Sequence, residues 1–121
     1  MGKKTDNDKN RLDLIDPVFI TGIGKILTFG AKKYKPNNWQ TLKDPQDRYY
    51  GATMRHLLAW RRGKSFDGES RLSHLLHAAT NIMFLYWFER KKKCQKYKHM
   101  KICRLKLNGL LQILEKKFVK L

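Results

Sequence analysis

Two histidines and an asparagine stand three and four residues apart in the middle of the chain, at His74, His77 and Asn81. On an α-helix this spacing places the three side chains along one stripe. Asp67 and Glu69 precede them, where such a helix is expected to begin. Imidazole and carboxylate groups together are the usual ligands of divalent cations of intermediate hardness, whereas Mg2+ alone prefers an all-oxygen set. The segment of residues 67–81 therefore predicts a functional polar site on one face of an otherwise apolar helix.

The same residues also have purely structural interpretations. Asp67 can serve as an N-cap, with Glu69 adding an acidic first turn that complements the helix dipole. A histidine among leucine and alanine residues can be a hydrogen-bonded core residue rather than a ligand. These interpretations stay open for single residues, and spacing does not decide which of them meets a metal.

Helix signals place these side chains on an all-α scaffold, because no alternating stretch is long enough to predict a sheet. Asp16 and Pro17 form an N-cap and first-turn pair, and Asp44 and Pro45 do the same for a second helix. Apolar residues at helical spacing follow both starts and recur in two further segments. We predict a compact bundle of about four helices over residues 17–30, 45–62, 69–93 and 100–119, either monomeric or paired with a second copy as a homodimer.

Two glycines and a loop interrupt this pattern. Gly22 and Gly24 weaken the first helix intrinsically, so either they allow close packing or tertiary contacts hold the helix. A loop over residues 35–43 carries Trp39 and separates the first two helices.

Length and charge suggest a division of the chain. A chain of 121 residues holds one domain at most. The formal charge of +17 is uneven, with +11 on residues 90–121 and +6 on the rest. We predict a flexible N-terminus (1–10), a helical domain (11–89) and a basic helical extension (90–121). The extension is dense enough in cations to attract a polyanion, which could be nucleic acid bound without sequence preference or an acidic protein surface.

Several classes of protein are not expected. No N-terminal apolar region follows the first residues, and no stretch reaches the roughly 18 apolar residues of a spanning helix. Cys94 and Cys103 fit neither a disulfide scaffold nor a CxxC zinc site. We therefore expect a soluble, cytoplasmic protein with reduced cysteines and no membrane contact.

Five sequence blocks together resemble a known family. They are RLDLI (11–15), LTFGAKKY (27–34), NW (38–39), GATMRHL (51–57) and DGESRLSHLLHAATN (67–81). In this order they are similar to the phage-encoded dATP/dGTP diphosphohydrolase N-terminal domain family, over about residues 11–88. The resemblance implies a small phage protein with dNTP pyrophosphohydrolase activity, located in the host cytoplasm. It also implies kinship with the all-α MazG-like enzymes, which act on nucleotides with a divalent metal.

The chain departs from these relatives in three ways. The MazG-like enzymes hold metals with ExxE and ExxD carboxylates, and this chain, with ten acidic residues, has no such pair. Arg71 stands where the family turn usually has a small residue. The segment after about residue 90 lies outside the resemblance.

The resemblance and the site chemistry together predict a metal-dependent (d)NTP diphosphohydrolase that releases dNMP and pyrophosphate and prefers purine dNTPs. Such hydrolysis needs a cation, Mg2+ or Mn2+, that activates water, and cationic groups that absorb developing charge. We assign the metal to His56, Asp67, Glu69, His74 and His77, and catalysis to Glu69, His74 and His77, with Glu69 the better general base. Nucleotide and phosphate contacts are assigned to Lys32, Lys33, Tyr34, Trp39, Arg48, Arg55 and Asn81.

A second hypothesis is a binding protein. A small, very basic phage product can occupy an acidic host protein or nucleic acid without turnover, on the scaffold of a nucleotide enzyme. It would act in host takeover or as an anti-defence inhibitor, and the polar site would bind a nucleotide or metal only. Metal-dependent pyrophosphate release supports the first hypothesis, and salt-sensitive association through residues 90–121 supports the second.

Overall fold

The computed structural model of the chain describes residue 2, residues 8–99 and residues 113, 116 and 117. Within this part three α-helices follow one another, α1 (Pro17–Lys33), α2 (Pro45–Arg61) and α3 (His74–His99), with short 3-10 helices at Leu12–Leu14 and Asn38–Thr41. No strand is present in these described ranges, so the all-α prediction is confirmed for them. The fourth helix predicted over 100–119 and most of the basic extension lie outside the described residues, and the homodimer stays a prediction.

Contacts divide the chain into two units, residues 16–92 on one side and residues 1–15 with 93–121 on the other. In the second unit, the guanidinium of Arg11 pairs with the carboxylate of Asp13 at 2.7 Å. All the site features described below belong to residues 16–92. None of the helices in the described part combines the length and apolar character needed to cross a membrane.

The start of α1 is the one its sequence predicts. Asp16 Oδ1 accepts a hydrogen bond from the Val18 N–H at 3.1 Å, and Pro17 occupies the first turn. The helix does not stop at Gly30, as predicted, but continues to Lys33. Good helix formers follow the glycine, and the two terminal lysines complement the negative end of the helix dipole.

The two glycines of α1 differ in their surroundings. A Cβ on Gly22 would lie 2.6 Å from Leu76 Cδ1 and 2.7 Å from Leu76 Cδ2, whereas a Cβ on Gly24 would meet nothing within 4 Å. Gly22 therefore permits the close approach of α1 to α3. Gly24 has no such role.

Helix α2 ends one residue earlier than predicted, at Arg61, and Gly63 reverses the chain with a φ of +92°. Asp44 stands at the N-cap, but its side chain makes no cap hydrogen bond and its backbone is left-handed, with a φ of +52°. The prediction that the Asp44 side chain caps this helix is therefore wrong. Pro45 alone provides the predicted first-turn signal.

Helix α3 begins at His74, not at Glu69 as predicted. Residues 67–73 instead form a tight turn, in which the Asp67 N–H donates to the Leu72 carbonyl at 2.8 Å and the Arg71 N–H to the Asp67 carbonyl at 2.9 Å. The Asp67 carboxylate also accepts from the Ser70 N–H at 2.8 Å, and a side-chain bond of this kind competes with the helix. Ser73 is the residue that caps α3, since its Oγ accepts from the Leu75 N–H at 3.2 Å.

Few apolar side chains are buried in the described part. They are Ile26 on α1 and Ala78 and Phe84 on α3. Around Phe84 lies an aromatic cluster, in which the Trp39 ring stacks at a centroid distance of 4.4 Å and the Tyr49 ring tilts at 4.9 Å. Trp87 and Phe88 complete the cluster with edge contacts to Trp39. The loop between α1 and α2 is thereby docked on α3.

Candidate functional site

A His–Asp cluster, composed of His56, Asp67 and His74, gathers residues from three parts of the fold. His56 comes from α2, Asp67 from the turn and His74 from the first turn of α3. One ligand atom of each lies within 4.8 Å of those of the other two, and His74 is 8% exposed. The arrangement brings together three of the five residues predicted to bind metal.

The two histidines of the cluster point the same ring atom at each other. His56 Nδ1 lies 2.8 Å from His74 Nδ1. At that distance the two atoms cannot both carry a proton, so either one donates to the other or both lone pairs face a shared cation. Two imidazole nitrogens and a carboxylate oxygen make a donor set that suits Mn2+, Co2+, Ni2+ or Zn2+. The donor set therefore fits a divalent cation.

Burial disfavours the protonated form of His56 and of His77. Partial burial, together with His77 and His74, lowers the pKa of His56 to about 4, against the opposing charge of Asp67. Burial also lowers the pKa of His77, although Asp67 and Glu69 oppose the shift. Burial therefore favours the neutral form of both rings, which is the form that can bind a cation.

His77 lies beside the cluster rather than within it. Its ring stacks on His56 at a centroid distance of 4.5 Å with an interplanar angle of 6°. Its Nε2 lies 2.7 Å from Ser70 Oγ and 3.9 Å from Asp67 Oδ2. Because the Ser70 hydroxyl donates its proton to Asp67 Oδ2 at 3.0 Å, its oxygen can accept a hydrogen bond from His77 when the neutral ring carries its proton on Nε2.

Ser70 is a site residue that the sequence analysis missed. Besides its hydroxyl contacts, its N–H donates to Asp67 Oδ2 at 2.8 Å. The signal was present, because an Asp three residues before a Ser in a Gly-containing segment is typical of a side-chain-closed turn. Partial burial opposes ionisation of Asp67, but these bonds and one from the Glu69 N–H outweigh it and lower the pKa of the carboxyl.

Glu69 is not a member of the cluster. Its Oε1 accepts from Lys33 Nζ at 2.5 Å, and its side chain is 60% exposed. The hydrogen bond to Glu69 raises the pKa of the Lys33 ammonium. The assignment of Glu69 as a metal ligand and general base stays a prediction.

A cleft of about 950 Å³ adjoins these residues. It is walled by α1, the loop that follows α1, and the facing sides of α2 and α3. Six of the seven predicted nucleotide-contact residues line it, and Lys32 is the exception; the six are Lys33, Tyr34, Trp39, Arg48, Arg55 and Asn81. His77 also lines the cleft while stacking on His56, so it connects the cleft with the cluster.

The two aromatic residues assigned to base stacking have different environments. Trp39 packs face to face on Phe84, so one of its faces belongs to the core. Tyr34 is 65% exposed, and the Lys33 ammonium lies 5.4 Å from its ring centroid. Tyr34 is therefore the freer platform for a base.

Comparison with known proteins agrees with the resemblance noted in the sequence. The family model for the dATP/dGTP diphosphohydrolase N-terminal region matches residues 1–98. A dATP/dGTP diphosphohydrolase of Salmonella phage PMBT28 is 40% identical over 86 residues, which is 71% of this chain and 29% of the relative. The chain thus spans less than a third of the length of that relative. No solved structure matches the chain.

Proposed function

The chain belongs to the dATP/dGTP diphosphohydrolase N-terminal family, and we propose that it is a metal-dependent (d)NTP diphosphohydrolase that releases dNMP and pyrophosphate, with purine dNTPs preferred. The observation that carries the proposal is that His77 connects the His–Asp cluster, whose residues suit a divalent cation, with a cleft lined by cationic side chains. The name of the phage relative, dATP/dGTP diphosphohydrolase, supports this class of activity.

The cleft suits a nucleotide in size and charge. Its volume of about 950 Å³ lies in the range of small-molecule sites, about 300–1,000 Å³. Lys33, Arg48 and Arg55 line it and would bind and orient the phosphates. Asn81, also on the wall, offers amide donor and acceptor groups to the base or sugar.

The His–Asp cluster would hold the cation. A divalent ion bound there would polarise phosphate oxygens and lower the pKa of a bound water. The mixed nitrogen and oxygen donors favour Mn2+ over Mg2+. His56 and His74 contribute the nitrogens and Asp67 the oxygen.

The residues of the chain then divide the remaining work. Water adds to phosphorus, the bridging bond between the α and β phosphates breaks, and pyrophosphate leaves with the electron pair. Arg48 and Arg55 offset the charge that develops on the phosphate oxygens. Glu69 is the base that takes the proton from water. His77 is held in place by its contact with Ser70 and by its stack on His56.

The test is incubation of the protein with each dNTP and Mg2+ or Mn2+, with products separated by ion exchange. We expect dNMP and pyrophosphate in equal amounts, and a loss of at least about 100-fold in rate for His74→Ala. The neighbouring Leu75→Ala, at a 40% exposed position, is the matched control and should retain activity. Intact dNTPs under both metals, or full activity in His74→Ala, would refute the proposal.

A further inference from the structure

The ion pair of Lys33 and Glu69 links the two halves of the proposed site. Lys33 is the last residue of α1 and lines the cleft, whereas Glu69 belongs to the turn of residues 67–73 and does not line it. Nζ and Oε1 lie 2.5 Å apart across 36 positions of sequence. The pair therefore connects a phosphate-binding position with the turn that supplies Asp67.

This pair is easily exchanged. The side chains of Lys33 and Glu69 are 41% and 60% exposed. Ion pairs in contact with water are weak, because solvent screens them and two long side chains must be held in place. A nucleotide polyphosphate brings several negative charges to the cleft, against the single charge of Glu69. The ammonium of Lys33 should therefore transfer to the phosphates when they bind.

The backbone of Glu69 is held next to the His–Asp cluster. Its N–H donates to Asp67 Oδ2 at 3.2 Å, so its backbone is attached to a member of the cluster. Three protein ligands leave a bound cation with further positions to fill.

We propose that Lys33 is a positioning residue that holds Glu69 away from the His–Asp cluster in the empty protein, and that phosphate binding in the cleft releases Glu69 to the cation. The inference rests on the proposed function for the identity of both ligands. Nucleotide and cation then bind cooperatively, because each favours the state in which the Lys33–Glu69 pair is broken. Glu69 reaches the cation only when a polyphosphate is present.

The first experiment titrates Mn2+ alone into the full chain by calorimetry, without nucleotide. Lys33→Met frees Glu69 and should tighten Mn2+ binding by about two- to fivefold, the range of an exposed ion pair. In a Glu69→Gln background the same substitution should have no effect. Lys32→Met removes a neighbouring charge that has no carboxylate partner in the described part of the chain, and should change Mn2+ affinity little.

Two outcomes of this titration would overturn the inference. One is an unchanged Mn2+ affinity in Lys33→Met. The other is a gain that persists in the Lys33→Met/Glu69→Gln double variant, because through-space removal of a positive charge would then explain it.

The second experiment titrates inorganic tripolyphosphate in the presence of EDTA, so that no metal contributes. Glu69→Gln should tighten binding by about two- to fivefold by freeing Lys33, and Lys33→Met should abolish that gain. Binding of triphosphate by the wild type with no gain in Glu69→Gln would overturn the inference while the proposed nucleotide site stands. Binding of neither probe by the wild type would refute both.

Discussion

Two glycines in one helix offer a matched test of the packing that separates α1 from α3. Gly22 and Gly24 lie two positions apart in α1. The test compares the variants Gly22→Ala and Gly24→Ala. A Cβ at Gly22 would overlap Leu76 Cδ1 at 2.6 Å, with Leu76 Cγ at 3.2 Å, whereas a Cβ at Gly24 enters open space. The two substitutions share every intrinsic effect and differ in this contact.

The expected magnitudes follow from two opposing contributions. Alanine gains about 1 kcal/mol over glycine in a helix interior at either position. Overpacking costs about 1–3 kcal/mol, and a partly mobile leucine side chain places Gly22→Ala in the lower half of that range. We therefore expect Gly24→Ala to raise the free energy of unfolding by about 1 kcal/mol. Gly22→Ala should lower it by up to about 1 kcal/mol, because overpacking then exceeds the helix gain.

The assay is urea unfolding of the full chain, followed by circular dichroism at a helix wavelength. The variant Gly22→Ala/Leu76→Ala gives the coupling, because removal of the Leu76 side chain should let the alanine at position 22 regain its helix benefit. Equal stabilisation by Gly22→Ala and Gly24→Ala would refute the close approach of α1 to Leu76. An additive double variant would refute it as well.

Three further outcomes are expected. The free energy of unfolding should fall as the pH is lowered from about 6.5 to about 4. The reason is that the pKa of His56 in the folded chain is about 4, so the unfolded chain takes up the proton first. Urea titrations at several pH values test this, and His56→Asn should flatten the dependence on pH. Ser70→Ala should lower the free energy of unfolding by about 1–2 kcal/mol and change the NMR titration of His77; an unchanged titration would contradict the hydroxyl contact with its Nε2. Arg71 has a φ of +60°, so Arg71→Gly should raise the free energy of unfolding by about 0.5–1 kcal/mol. This figure is the left-handed strain that glycine relieves, minus the chain entropy that glycine adds to the unfolded state. Equal stabilisation by Arg71→Ala would show that the backbone is not the reason.

The parts of the fold that were predicted correctly depend on local signals. Asp16 and Pro17 mark the start of α1, and Pro45 marks that of α2, because capping and first-turn chemistry act within three residues. Six of the seven residues assigned to nucleotide contacts line the cleft, and five of the six fall in the short blocks that resemble the family. Lys32 was assigned together with Lys33 but does not line the cleft, because a helix directs adjacent residues to different sides.

Contacts between distant residues and the turn before α3 are what helix spacing could not predict. The predicted stripe of His74, His77 and Asn81 runs from the cluster to the cleft, a connection that helix spacing alone does not specify. His56 and His74 were both assigned to the metal, but helix spacing contains no information about their contact across 18 positions. The helix start at His74 was missed because the Asp67 carboxylate accepts hydrogen bonds within the turn, from the Glu69 and Ser70 N–H groups, and does not cap a helix there.

The docking of Trp39 has a consequence for how fast a ligand can enter and leave. The loop between α1 and α2 is connected to the rest of the unit by the ring contacts of Trp39 and by the Tyr49 hydroxyl, which donates to the Trp39 carbonyl at 2.9 Å. Each aromatic contact contributes about 0.5–1.5 kcal/mol. Lifting one indole from Phe84 therefore opens a wall of the cleft as a local event, without unfolding of the helices. Residence times in the cleft should follow the rate of that undocking, and amide exchange in residues 38–41 should be slowed by a bound ligand.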